Sequence, residues 1–217
     1  MLEAAQLWFR YRRDSPWVLQ GVTLSVEPGE VVGLKGPSGR GKTTLARLLA
    51  GYLVPTRGRV LLDGSPLPAG AQPVQLVSQH PELAVDPRWR LAEILSEATP
   101  EAATPDPALL DMLSIDRAWL DRYPHELSGG ELQRVTVARA LLSQAPYVVA
   151  DEVSAMLDPI TQAQIWSVLV DRARRGGLGL LAICHDDSLL AAVADRVVDL
   201  MQPYGQGSSR IREKTQG

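Results

Sequence analysis

Apolar and polar residues alternate along Val18–Val26, with Val18, Val22, Leu24 and Val26 on one face. A period of two predicts a half-buried strand. Pro28-Gly29 makes a turn, and Val31–Leu34 is a short apolar strand behind it. The spacing then changes: Thr44–Leu53 has helical periodicity, with Gly51 as its stop. Arg59–Leu62 followed by Asp63-Gly64 reads as one arm of a hairpin. Val74–Ser78 is a further short strand, and Leu132, Val135, Val137, Ala138 and Leu141 give Gly130–Leu142 the spacing of a helix.

Tyr147–Ala150, Leu178–Cys184 and Arg196–Leu200 are apolar nearly throughout. Such runs belong to strands covered on both faces, as in a parallel sheet between helical layers. The stretch from Pro81 to Leu127 is rich in Ala, Leu, Glu and Asp and punctuated by proline. It predicts a helical lobe inserted at about residues 80 to 130. Met201–Gly217 is polar and rich in Gly and Ser, which predicts a poorly ordered tail (201–217) after one domain (1–200).

Composition narrows the classes. A chain of 217 residues suits one α/β domain with a small inserted lobe. A net charge of −3 argues against a protein that grips nucleic acid through bulk positive charge. Cys184 is the single cysteine, so an intrachain disulfide is excluded, which suits a reducing compartment. The charged start has no secretory apolar core, and no stretch approaches the ~20 apolar residues of a membrane helix. Work at a membrane would require docking onto another chain.

The chemistry lies in the punctuation. Gly36-Pro37-Ser38-Gly39-Arg40-Gly41-Lys42-Thr43 satisfies G-x-x-x-x-G-K-S/T between a strand and a helix. Glycines let the backbone curl so that its N–H groups face phosphate oxygens beside the positive end of the helix. Lys42 supplies a compact charge for the β- and γ-phosphates, and the Thr43 hydroxyl is a Mg²⁺ ligand. Tyr147–Ala150 runs into Asp151-Glu152. Asp151 at the strand end reaches a Mg²⁺ shell, and Glu152 is placed to polarise an attacking water. An acid pair at a strand end can also merely cap a helix; the phosphate loop upstream favours the catalytic reading. His80, His125 and Cys184 fit no standard metal spacing.

Leu127-Ser128-Gly129-Gly130-Glu131 adds a Ser-Gly-Gly nest at a helix start, a second anion-binding feature. Here the chain resembles the ATP-binding cassette (ABC) superfamily, whose signature reads LSGGQ or LSGGE. The resemblance spans about Leu7 to Leu200, and the run from Asp151 to Trp166 looks most like the peptide/nickel importer ATPases. It implies a P-loop NTPase core with a mostly parallel sheet, an N-terminal antiparallel β region and an inserted helical subdomain. It implies ATP and Mg²⁺ as ligands and ATP hydrolysis coupled to solute movement through separate transmembrane permease subunits. It further implies a second ABC ATPase subunit paired head to tail, and a place on the cytoplasmic face of the membrane.

By the same resemblance Gln79 matches the glutamine that touches Mg²⁺ and water, and His185 the histidine that contacts the γ-phosphate. Lys42 and Glu152 complete the catalytic set. The metal would fall to Thr43, Gln79 and Asp151. Nucleotide contacts would come from Gly36 through Thr44, from Ser128, Gly129, Gly130 and Glu131, and from Asp158 in Ala155-Met156-Leu157-Asp158. Tyr11 or its rival Trp17 would stack on adenine. The sequence departs from the family at Val153, often proline, and at Ala155, usually serine; an oligopeptide-type C-terminal extension is not evident. A soluble ABC ATPase of DNA repair or translation is the alternative.

Overall fold

The computed structural model describes residues 1–68, 72–99, 105–155, 157–201 and 210–215. Two sheets organise the chain. The first is antiparallel, in the order β2-β1-β4-β5. It comprises β1 (Leu2–Phe9), β2 (Leu19–Val26), β4 (Arg57–Leu62) and β5 (Ser65–Pro66). The β4–β5 turn places Asp63 and Gly64 at φ 50° and 76°. Positive φ at both central residues of a two-residue turn matches the twist of the flanking strands.

The second sheet runs β10-β9-β3-β8-β7-β6. Its members are β3 (Val31–Lys35), β6 (Val74–Val77), β7 (Tyr147–Asp151), β8 (Gly179–Ile183), β9 (Arg196–Met201) and β10 (Arg210–Thr215). All neighbours are parallel except β10, which is antiparallel to β9. Disorder is therefore not what is seen over Arg210–Thr215: its backbone pairs with the edge of β9 that β3 leaves open, satisfying donors and acceptors that an exposed edge would leave unpaired. The remaining tail positions, 202–209 and 216–217, and lobe positions 100–104 lie outside the described residues.

Side chains on the parallel strands divide between two cores, as a pleat with alternating faces requires. Tyr147, Val149, Leu181 and Ile183 join α1 (Lys42–Leu49) and the inner face of the antiparallel sheet. Val148, Ala150, Leu180 and Ala182 join α4 (Gly129–Leu142), α5 (Pro159–Gly176), α6 (Asp187–Val193) and the lobe. The lobe holds α2 (Leu91–Ser96), α3 (Pro107–Met112) and short 3₁₀ turns, with Leu91, Ile94, Leu95, Leu109 and Leu110 buried. α1 stops at Leu49 because Gly51 takes φ 77°, a left-handed cap that glycine adopts without strain.

Leu181 has no exposed surface and faces α1 from the middle of the sheet. Leu181→Ala should cost about 2–5 kcal/mol of stability, the sum of lost burial and residual cavity. Urea melts would read this as a lower midpoint at unchanged slope. A loss no larger than that of a surface position would contradict the packing described.

Candidate functional site

The loop Gly36–Gly41 leaves the end of β3 and turns directly into α1. Gly41 at φ 89° is the residue before the helix, and a Cβ there would come within 2.8 Å of Leu19 Cδ2. Both the backbone angle and the close approach of β2 call for glycine at this point. The next residue, Lys42, is buried. Its Nζ donates to the carbonyls of Gly36 at 2.8 Å and Pro37 at 3.3 Å, so the ammonium rests on its own loop.

Two strands away β7 ends in Asp151, only 4% exposed. Its Oδ1 is buried with no hydrogen-bond partner. Burial holds its carboxyl above the ordinary value of 3.8, opposed by a hydrogen bond from Thr43 and the charge of Lys42. Glu152 follows at φ 53°, with its N–H donated to Ile183 O of β8 at 3.0 Å. His185, just past β8, brings Nε2 to 2.7 Å from Glu152 Oε1 and 3.3 Å from Lys42 Nζ. At the shorter distance Nε2–H donates to the carboxylate, leaving no lone pair there for Lys42.

Lys42, Thr43, Thr44, Glu152 and His185 line one cavity of about 400 Å³, together with Tyr11, Val18, Ser38, Gly39 and Gly41. Asp151 joins this set through Thr43. The residues present fit a phosphate-bound Mg²⁺. A buried carboxylate oxygen without a donor sits beside a hydroxyl, and no group of three or more His, Cys, Asp or Glu among the described residues forms an all-protein cage. Mg²⁺ is held in that manner, by one or two protein oxygens plus substrate phosphates and water.

Tyr11 reaches the cavity with its hydroxyl 3.1 Å from Thr44 Oγ1 and its ring set edge-on to Phe9. Trp17 is absent from the lining. Its ring lies under the guanidinium of Arg10, 4.5 Å from the centroid, and edge-on to Trp8. Gln79 lies beyond the end of β6, half-buried, and is also outside the lining. Its neighbour Ser78 is anchored through its carbonyl by the side chain of Gln133 at 3.2 Å.

Ser128 caps α4: its Oγ accepts from Glu131 N–H, and Glu131 accepts in return from Ser128 N–H at 2.7 Å. That backbone bond is the main reason the Glu131 carboxyl lies below its ordinary value. Asp158 caps α5, accepting from the N–H groups of Ile160 and Thr161 at 3.0 Å. Ser128, Gly130, Glu131 and Asp158 line a second cavity, about 320 Å³, which shares no lining residue with the first. Met156 lies outside the described residues.

Sequence reasoning passed over two residues here. Gln133 is buried, and Arg134 donates to Thr161 Oγ1 at 2.8 Å and Ser114 O at 3.3 Å, tying α4 to α5 and to the lobe. The available cue was that both stand three or four positions before Val137 or Ala138, apolar residues of the same helix.

Burial of the Asp151 carboxylate, one oxygen of which lacks a donor, makes the protein less stable than it could be. Its raised pKa means the folded state holds the proton more tightly than the unfolded state. The cost of the charge is therefore full above the folded pKa and vanishes below the unfolded one. Asp151→Asn should raise the nucleotide-free melting temperature by a few degrees, ~1 kcal/mol being worth about 2–4 °C at this size. The gain should shrink as pH falls through the raised value. Thermal melts at neutral and acid pH would check it; a lower melting temperature at neutral pH would contradict it.

The chain matches the ABC transporter family over residues 19–155. It is 34% identical over 199 residues to a putative peptide import ATP-binding protein of Brucella ovis, covering 84% of this chain and 63% of that one. It is 36% identical over 202 residues to a probable D,D-dipeptide transport ATP-binding protein of Escherichia coli (strain K12), covering 89% of this chain and 64% of that one. The chain thus spans a little under two thirds of the length of these curated relatives. The solved dimeric structure of a bacterial ABC transporter cassette shares its fold, with TM-score 0.79 and 23% identity over 92% of this chain and 94% of that one. So does an ATP binding subunit of an ABC transporter, with TM-score 0.81 and 25% identity over 92% and 85%. With its phosphate loop, acid pair and Ser-Gly-Gly helix cap carried on that fold, the chain belongs to the ABC transporter family.

Proposed function

We propose that this chain hydrolyses MgATP and couples the reaction to import of a peptide-class solute through separate membrane subunits. The observation that supports it best is the convergence of Lys42, Thr43, Glu152 and His185 on one cavity, with Asp151 joined through Thr43. Lys42 exchanges its carbonyl partners for β- and γ-phosphate oxygens. His185 turns from Glu152 to the γ-phosphate, which frees the carboxylate to accept a proton from the attacking water. Thr43 and Asp151, with Gln79 as a further candidate, would hold a Mg²⁺ ion, which would supply charge to neutralise the phosphate oxygens. Tyr11 stacks on adenine.

The substrate class follows the names of the relatives, which are peptide import and D,D-dipeptide transport proteins; those names do not favour a role in DNA repair or translation. No described helix is long and apolar enough to cross a membrane. By analogy with the transport roles named for the relatives, we place the chain as a peripheral subunit on the cytoplasmic face. Its contact with the membrane subunits runs over the lobe near Gln79–Arg90. Leu83 is 81% exposed and Trp89 39% exposed, whereas Val85 and Leu91 are buried in the lobe core and drop out of that surface.

Ser128 and its nest line a cavity separate from the one holding Lys42. In our reading a second cassette, turned head to tail, brings its own nest to the γ-phosphate, and ATP is held between the two. Glu152→Gln should keep ATP binding and slow hydrolysis by about 10²–10⁴-fold, the usual worth of a general base. The ATP-bound pair should then persist. Light scattering with and without MgATP, in the presence of the partner cassette where this chain does not pair with itself, would show the dimer. A variant that binds ATP and stays monomeric under those conditions would rule out the shared site.

A further inference from the structure

Glu152 sits in left-handed backbone space, which residues other than glycine seldom occupy unless neighbours hold them there. Its own N–H is tied to Ile183 O. The next links are short turns: Ala155 N–H donates to Glu152 O at 3.2 Å, and Leu157 N–H to Ser154 O at 3.2 Å. Ser154 therefore stands where the turn that begins at Glu152 meets the turn that leads to Asp158.

Among the described residues, one side-chain bond reaches this junction from a regular element. Trp166, two turns into α5, donates its indole N–H to Ser154 Oγ at 2.9 Å. The two residues are 2% and 4% exposed, and Val153, between Glu152 and Ser154, is buried and apolar. A hydroxyl in such surroundings has no water to fall back on, so losing the donor would leave it unsatisfied.

We infer that Trp166 is a positioning residue: through Ser154 it fixes the turn that holds Glu152 in its left-handed conformation. This rests on the reading of Glu152 as general base. The bond closes a loop whose other side is α5 itself, started by the Asp158 cap. The base is thereby referenced to an 18-residue helix as well as to the loop. Misplacing a catalytic group by ~1 Å can cost about 10²-fold in rate. The same clamp holds Leu157, whose Cδ2 lies 3.4 Å from where a Cβ on Gly130 would be, so the turn also keeps its place beside the Ser128 helix.

Trp166→Phe removes the donor and keeps an aromatic ring; Ser154→Ala removes the acceptor. Each should lower kcat for ATP at least about tenfold with KM little changed, the signature of lost transition-state alignment. Amide exchange at Ala155, whose N–H bonds the Glu152 carbonyl, should rise about tenfold in both, as local opening becomes easier. The double variant separates positioning from stability. With no orphaned hydroxyl its melting temperature should return toward wild type, while kcat stays low. Recovery of kcat along with melting temperature would overturn the inference, and so would unchanged Ala155 exchange in the single variants. A wild-type chain that binds MgATP yet never releases phosphate would sink the ATPase reading instead, and Ala155 exchange alone would then decide the clamp.

Discussion

Parallel pairing of β3, β8 and β7 puts three unlike chain segments side by side. Leu34 is registered against Ile183, and Ile183 against Asp151, so the phosphate loop, His185 and the acid pair all leave the sheet at the same edge. In open α/β sheets ligands bind beyond the carboxyl ends of the strands for this reason. The hydrogen-bond ladder sets the spacing of the groups, and the two hydrophobic cores hold the ladder rigid. Everything proposed about ATP depends on that register, because a slip of one residue would turn each side chain to the opposite face.

The same edge accumulates groups that suit a ligand better than they suit one another. Lys42 spends its charge on two carbonyls of its own loop, Asp151 keeps a buried oxygen without a donor, and Glu152 holds a disfavoured backbone angle. Each costs stability that the cores supply elsewhere. Phosphates and a cation would relieve the first two, which makes ligand binding and stability the same question at this site.

Much of this was legible in the sequence, and the reasons differ by element. The buried strands announced themselves as unbroken apolar runs, and the phosphate loop needs its glycines for backbone reasons that composition reveals directly. β1 escaped notice because a bulge at Gln6, φ 51°, interrupts its alternation and shifts its register with β2 and β4. α5 carries Ile165, Trp166, Leu169 and Ala173 at helical spacing, a period that starts only behind the mostly polar stretch Thr161 to Gln164. β10 was out of reach, since Arg210–Thr215 gains its structure from the open edge of β9, a tertiary partner that local pattern does not contain. Lys42, Thr43, Asp151 and Glu152 were proposed from type and spacing, and Gln79, His185, Asp158 and Tyr11 from the family resemblance, but which of them converge on one cavity was not legible. Tyr11 and Trp17 are equivalent aromatics on paper, and only the fold puts Arg10 over Trp17 and Tyr11 on the cavity.

The central claim is that the strand ends form a phosphate site organised around the Lys42 ammonium. Calorimetric titration of the full chain with MgATP, set beside Lys42→Ala, tests it most directly. A charge-assisted hydrogen bond contributes about 1.5–3 kcal/mol, so the variant should bind MgATP roughly ten- to a hundredfold more weakly while keeping its fold. Equal affinity in the two proteins would contradict the account.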